Sequence, residues 1–273
     1  MKTNTSYKPT AYFAIVLLIT WCSWFLAARI SWLPDQQGLQ FLCMLPGFFA
    51  PCLTAAIMVW RSGNTALRRD YWQRLTSLRR INLATLPMVL LLMPAVMLAS
   101  IAVSLLFGKS AEQFALVQQF SFSIGPVPVL LILILVPALE ELGWRGYGVD
   151  SLRSRGNLFV TSLLFGLLWA LWHVPLAFIQ HSYQHELLSN WVYAANFWIS
   201  LFPAAFIINW LYYRNNRSII ACFLFHASVD LASEVFNVEQ FTKCIGTGFL
   251  LLIAAVLVVL DSRRFFAPVR STP

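Results

Sequence analysis

Long runs of apolar side chains, broken by short polar and arginine-bearing stretches, dominate the chain. Eight runs are long enough for a membrane helix: roughly 11–30, 40–60, 84–107, 127–147, 158–180, 191–213, 217–236 and 245–262. A hydrocarbon core ~30 Å thick takes about 20 helical residues. Tyr and Trp near several run ends, among them Trp60, Tyr212 and Tyr213, suit the headgroup interface. The pattern predicts an all-α, polytopic transmembrane bundle of about eight spans, with residues 1–273 as a single domain. The first run follows Lys2 and Lys8 and ends near Ala27 and Ala28, as a secretory signal would. At about 18 residues, with Trp21 and Trp24 inside it, it reads as a retained span.

The breaks between the runs orient the bundle. With the N-terminus inside, the inner segments carry Lys2, Lys8, Arg61, Arg68, Arg69, Arg74, Arg79, Arg80, Arg145, Arg153, Arg155, Arg214, Arg217, Arg263, Arg264 and Arg270. The outer segments carry only Arg29, Lys109 and Lys243. Sixteen of the nineteen Lys and Arg therefore fall on one side, as the positive-inside rule requires, and both termini are expected in the cytoplasm. One missed span would scramble this alternation downstream.

Composition agrees with the patterning. The chain is 59% apolar and only 11% charged, against about 25% charged for a soluble domain. The net charge of +8 would raise nucleic acid as a partner in a soluble protein. Here the basic residues sit between apolar runs, so topology and anionic membrane lipids explain them and no nucleic-acid partner is expected. The five cysteines are odd in number, form no C-x-x-C pair and lie mostly in apolar stretches, so no disulfide framework is inferred. Segment 61–80 interleaves arginines with Leu67, Tyr71, Trp72, Leu75 and Leu78. It fits an amphipathic helix on the inner leaflet or a short cytoplasmic loop equally well.

Ionisable groups inside a membrane are costly and mark function. Three clusters stand out. Glu140 and Glu141 precede Arg145; on a helix the two carboxylates point about 100° apart, and Glu141 can pair with Arg145 one turn on. That leaves Glu140 to face a cavity as a general base. His173 lies deep in an apolar helix, one turn after Trp169. His226 and Asp230 share a helix face near mid-span. Each alone has a structural explanation: an interfacial stop, a hydrogen-bonded core histidine, a structural His–Asp pair. Together, Glu140, His173 and His226 on three helices could line one wet pocket suited to activating water. They could also hold a divalent metal such as zinc with an open position. His181, His185 and Glu186 sit in a polar outer loop and read as solvated. Asn209 is expected to bridge helices. No H-E-x-x-H or G-x-S-x-G occurs.

At these residues the chain resembles the CAAX-protease and bacteriocin-processing (CPBP, or Abi) intramembrane peptidases. That family shows EExxxR, FxxxH and HxxxN or HxxxD on successive helices; here these are Glu140-Glu141-Leu-Gly-Trp-Arg145, Trp169-Ala-Leu-Trp-His173 and His226-Ala-Ser-Val-Asp230. The motif core is residues 140–230. The resemblance implies an intramembrane endopeptidase, metallo or glutamic, cutting a peptide or lipidated protein near the cytoplasmic leaflet in a cavity among spans four to seven. It implies Glu140 as the base, His173 holding water or a metal, and His226 at the oxyanion with help from Asp230. Glu141 and Arg145 would fix the geometry. Trp169 stands where the pattern has Phe, and little effect is expected from that. An ionised Asp230 cannot donate to an oxyanion, so it is expected to orient His226 instead. The compact layout suits a bacterial inner membrane. A non-catalytic immunity or scaffold protein of the same fold is the second reading. A proton- or metal-coupled transporter is the third, with no internal repeat to favour it.

Overall fold

The computed structural model describes residues 7–117, 120 and 128–268. Lys2 and Arg270, counted on the basic side, and residue 127 at the start of the fourth run lie outside the described residues.

The helices are α1 (Pro9–Ser31), α2 (Gln37–Arg61), α3 (Thr65–Thr76), α4 (Leu86–Leu105), α5 (Val129–Gly143), α6 (Val149–Arg153), α7 (Leu158–His173), α8 (Tyr183–Leu187), α9 (Trp191–Arg214), α10 (Ile219–Val235), α11 (Gln240–Leu260) and α12 (Ser262–Phe266). Each apolar run coincides with one of α1, α2, α4, α5, α7, α9, α10 or α11. Six segments are long and apolar enough to cross a membrane: α1, α2, residues 83–105, residues 158–178, α9 and α11. The other two, α5 with 15 residues and α10 with 17, are shorter. They pack on each other inside the bundle and carry the first and third motifs.

Local signals set the boundaries. Asn157 caps α7 by accepting from the Val160 N–H at 2.9 Å, and Ser218 caps α10 by accepting from Ala221. Pro9 opens α1, where a missing N–H costs nothing. Two glycines permit close approach. A Cβ on Gly143 would lie 2.3 Å from the Pro51 carbonyl carbon, so α5 meets the α2 backbone only through glycine. A Cβ on Gly47 would lie 2.1 Å from Trp24 Nε1.

After α5 the chain makes one π-helical turn, Trp144–Gly148. Such turns loosen the backbone ladder and occur often at functional sites. The carbonyls of Arg145 and Gly146 are taken up by a side chain from elsewhere: Arg74 of α3 donates to them at 2.6 and 3.0 Å. Most of segment 61–80 is thus the helix α3, which docks on the bundle through Leu67, Tyr71 and a fully buried Arg74, with Arg69 and Trp72 on its outer face.

The two ends of the bundle differ in chemistry. One gathers α3, the π-turn, α6 and the α9–α10 junction, where Arg74 and Arg217 meet Asp70 and Asp150. Burial alone would raise the Asp150 carboxyl, but Arg217 and Arg74 hold it below the usual carboxylate range. The opposite end gathers residues 31–40, α8 and the start of α11, tied by Gln180 N–H to Ser31 and by Lys109 to Glu239.

Candidate active site in the bundle interior

The last turn of α5 presents two adjacent carboxylates to different surroundings. Oε2 of Glu140 accepts from the Trp144 indole N–H at 2.9 Å and from the Trp169 indole N–H at 2.8 Å. Among the described residues nothing hydrogen-bonds its Oε1, and Glu140 lines the main cavity. Oε1 of Glu141 accepts from Arg145 at 2.8 Å and from His226 Nδ1 at 2.9 Å. Arg145 is fully buried, donates to Asn209 at 3.0 Å and lies over the Phe165 ring at 4.6 Å. Asn209 in turn donates to Ser162 at 3.2 Å.

Both imidazoles have their Nδ1 proton fixed by an acceptor. His173 Nδ1 sits 2.8 Å from the Trp169 carbonyl; a carbonyl only accepts, so Nδ1 carries a proton, and in the neutral ring Nε2 keeps its lone pair. His226 Nδ1 donates to the Glu141 carboxylate, and its Nε2 points toward Asp230 at 3.9 Å. The Trp169 ring stands between the histidines, 5.8 Å from His173 and 5.3 Å from His226, centroid to centroid.

The cavity is about 780 Å³. Glu140, His173, His226 and Asp230 all line it, so the structure brings the three motifs to one space. Its walls reach beyond spans four to seven: α2 contributes Phe41, Met44 and Phe48, and α4 contributes Met93, Val96 and Met97. It extends to the end carrying Gln37, His181 and Lys243, away from the arginine-rich end.

Two sequence expectations need adjustment, and a third holds for all but one residue, His185. Trp169 is no neutral stand-in for Phe, because its N–H is one of two donors fixing Glu140. The carboxylate holding His226 within hydrogen-bond distance is Glu141, with Asp230 a full ångström farther. His181 and Glu186 are exposed and 3.9 Å apart, while His185 Nδ1 is tied to the Ala177 carbonyl. The patterning assigns Trp144 no role; its place four residues after Glu140 is the one signal of its bond to that carboxylate. Asn209 of α9 bridges helices as expected, donating to Ser162 of α7, and it also accepts from Arg145.

As for a metal, the donor set does not fit one. Among the described residues no three His, Cys, Asp or Glu side chains form a metal-ligating group. Glu140 Oε2 and both Nδ1 atoms are committed to protein partners; the atoms left over, Glu140 Oε1 and the two Nε2 atoms, are not gathered into a metal-ligating group. No step is derived through a metal.

A helical bundle that gathers a carboxylate and two imidazoles around one cavity has the groups that an intramembrane hydrolytic centre needs. The family model "Type II CAAX prenyl endopeptidase Rce1-like" matches residues 121–232. CAAX prenyl protease 2 of Methanococcus maripaludis is 43% identical over 267 residues, 97% of this chain and 98% of that protein. Lysostaphin resistance protein A of Staphylococcus haemolyticus is 25% identical over 153 residues, 56% of this chain and 39% of that protein. The chain belongs to the type II CAAX prenyl endopeptidase family, and it is an integral multi-pass membrane protein.

Proposed function

We propose that the protein is an intramembrane endopeptidase that cleaves a prenylated C-terminal CAAX-type peptide with Glu140 as general base. The observation carrying this reading is the asymmetry of Glu140: one oxygen is fixed by two indoles, the other has no hydrogen bond among the described residues, and the residue lines the cavity. A water between Glu140 Oε1 and His173 Nε2 gives its proton to Glu140 and attacks the scissile carbonyl carbon. The resulting oxyanion accepts from His226 Nε2–H, whose ring is oriented and kept protonated by Glu141 and, more distantly, Asp230. Arg145 and Asn209 hold Glu141 in place. Glu140 then passes its proton to the leaving amine as the C–N bond breaks. A preorganised oxyanion donor is worth about 3–4 kcal/mol of barrier. The apolar wall of α2, α4 and α5 suits an isoprenoid chain.

We also place all eight apolar helices across a prokaryotic cell membrane, with the arginine-rich end and both termini in the cytoplasm. In that orientation the cavity opens away from the cytoplasmic face. Cleavage then falls near the bilayer middle, half-way along α10, rather than beside the inner leaflet. Thiol labelling in cells separates the orientations: a cysteine at Gln184 should react with an impermeant reagent and one at Arg69 should not. The reverse pattern would turn the bundle over.

The catalytic reading is tested with purified protein and a fluorogenic prenylated CAAX peptide. Glu140→Gln should lower kcat by about 10²–10⁴-fold with the thermal transition unchanged. Cleavage surviving at wild-type rate would sink the mechanism.

A further inference from the structure

The cavity holds a second polar group that the hydrolytic step does not use. Lys243, in the first turn of α11, is only 13% exposed and lines the cavity. It is the single Lys or Arg among the residues lining it, which also include Glu140, Asp230 and Glu234. Its Nζ lies 3.4 Å from Glu234 Oε1 and 3.3 Å from the Tyr183 hydroxyl, and 4.6 Å from the Tyr183 ring centre. Tyr183 is itself braced by donating to Gln240 at 3.0 Å. An ammonium has three N–H donors. Two are directed at Glu234 and Tyr183 through long bonds, and the third is available to the cavity.

We infer that Lys243, positioned by Tyr183 and Glu234, binds the free C-terminal carboxylate of the peptide substrate and so measures the distance from chain end to cleaved bond. The inference rests on the peptidase reading above and deepens it. Two lengths support it. His226, Asp230 and Glu234 follow one another at four-residue steps on α10. Glu234 therefore stands ~12 Å along the helix from His226, at 1.5 Å per residue. A C-a-a-X motif ends the chain three residues after its cysteine. From the cysteine carbonyl to the terminal carboxylate an extended backbone spans ~10 Å. With the cysteine carbonyl at Glu140 and His226, the last three residues run beside α10 and the carboxylate arrives at Lys243. A carboxylate answers the ammonium with a charge-assisted bond; an amidated end would turn N–H donors toward it.

The test compares one prenylated CAAX peptide with a C-terminal acid or a C-terminal amide, on full-length protein in detergent. Wild type should prefer the acid by about 10- to 100-fold in kcat/KM, chiefly through KM. Lys243→Met should erase that preference by losing the acid peptide alone, and Lys243→Arg should restore much of it. A wild type indifferent to the end group, or a Lys243→Met protein that keeps the preference, overturns the inference and leaves the Glu140 mechanism standing. Binding of both peptides to the Glu140→Gln protein gives a readout independent of cleavage. Tighter binding of the acid, lost in the Glu140→Gln/Lys243→Met double variant, supports the carboxylate site even if wild type cleaves neither peptide. Equal binding of the two overturns it.

Discussion

Two buried ion clusters lie on either side of the π-turn, built from the same kinds of groups and doing different work. At the basic end, Asp150 receives Tyr212 at 2.8 Å, Tyr213 at 2.9 Å and Arg217 at 2.5 Å. Arg74 there contacts Asp70, Asp150 and two backbone carbonyls. Every charge has several partners, although Arg74 Nε meets Asp70 at 2.8 Å without hydrogen-bond geometry, and none lines the main cavity. In the bundle interior the network is lean: one Glu141 oxygen serves both Arg145 and His226, while Glu141 Oε2 and Arg145 Nε have no partner among the described residues. The first arrangement locks α3, α6 and the α9–α10 junction around the π-turn. The second spends stability to aim one imidazole and leave a neighbouring carboxylate facing the cavity. An unsatisfied buried polar atom costs about 1–3 kcal/mol, and such costs are tolerated where geometry matters more than stability.

The comparison breaks most visibly when one charge is removed from each cluster. Arg145→Met leaves the buried Glu141 carboxylate with His226 alone, and Asp150→Asn leaves Arg74 and Arg217 sharing the Asp70 carboxylate. Removing one partner of a buried pair costs about 3–5 kcal/mol, so both variants should show a lower thermal transition in detergent. Their activities should part. Folded Asp150→Asn protein should cleave within a few-fold of wild type, whereas Arg145→Met should lose at least about 100-fold, because His226 loses its support. Equal activity losses would mean that the clusters are one mechanical unit. The Asp150 contribution also has a pH signature. Its carboxyl is held below the unfolded value, so its stabilisation is complete above about pH 4 and fades as pH falls through the lower folded value. Asp150→Asn should abolish that part of the acid destabilisation.

A finer cut separates the two adjacent glutamates. Trp169→Phe keeps the ring between the histidines but deletes one of the two N–H donors to Glu140. A hydrogen bond to a charged group is worth about 1.5–3 kcal/mol, so kcat should drop by about 10-fold or more with little change in KM. Unchanged kcat would show that Trp144 alone positions the base.

Much of this was legible beforehand, for physical reasons that also mark the limits. Apolar runs report helices because lipid demands them, and α9 at Trp191–Arg214 matches its run 191–213 within a residue. The start of α11 was read five residues late: Gln240, Thr242 and Lys243 are polar, and nothing in the pattern shows that Gln113 and Tyr183 satisfy Thr242 and Lys243. The glutamate and histidines announced themselves as ions in apolar helices. Their supports did not, since an indole N–H, as in Trp144 or Trp169, is hidden in a residue that looks apolar. Arg74 was hidden the other way, as one arginine in a basic stretch that gives no sign which one turns inward.

The smallest expected effect bears on which acid orients His226. Asp230 stands 3.9 Å from Nε2, and its side chain is 30% exposed. Glu141 is fully buried and makes the shorter bond on the other ring nitrogen. If Glu141 sets the tautomer, Nδ1 carries a proton whatever stands at 230, and the charge at 230 acts only through space across a partly wet gap. Asp230→Asn should then change kcat by a few-fold at most. The amide can also donate, so the direction tells two roles apart. A modest gain would mean that the residue at 230 touches the oxyanion, where a carboxylate repels and an amide helps. A modest loss would mean that Asp230 helps keep His226 protonated. A loss as large as that of Arg145→Met would reverse the assignment and make Asp230, not Glu141, the group on which the imidazole depends.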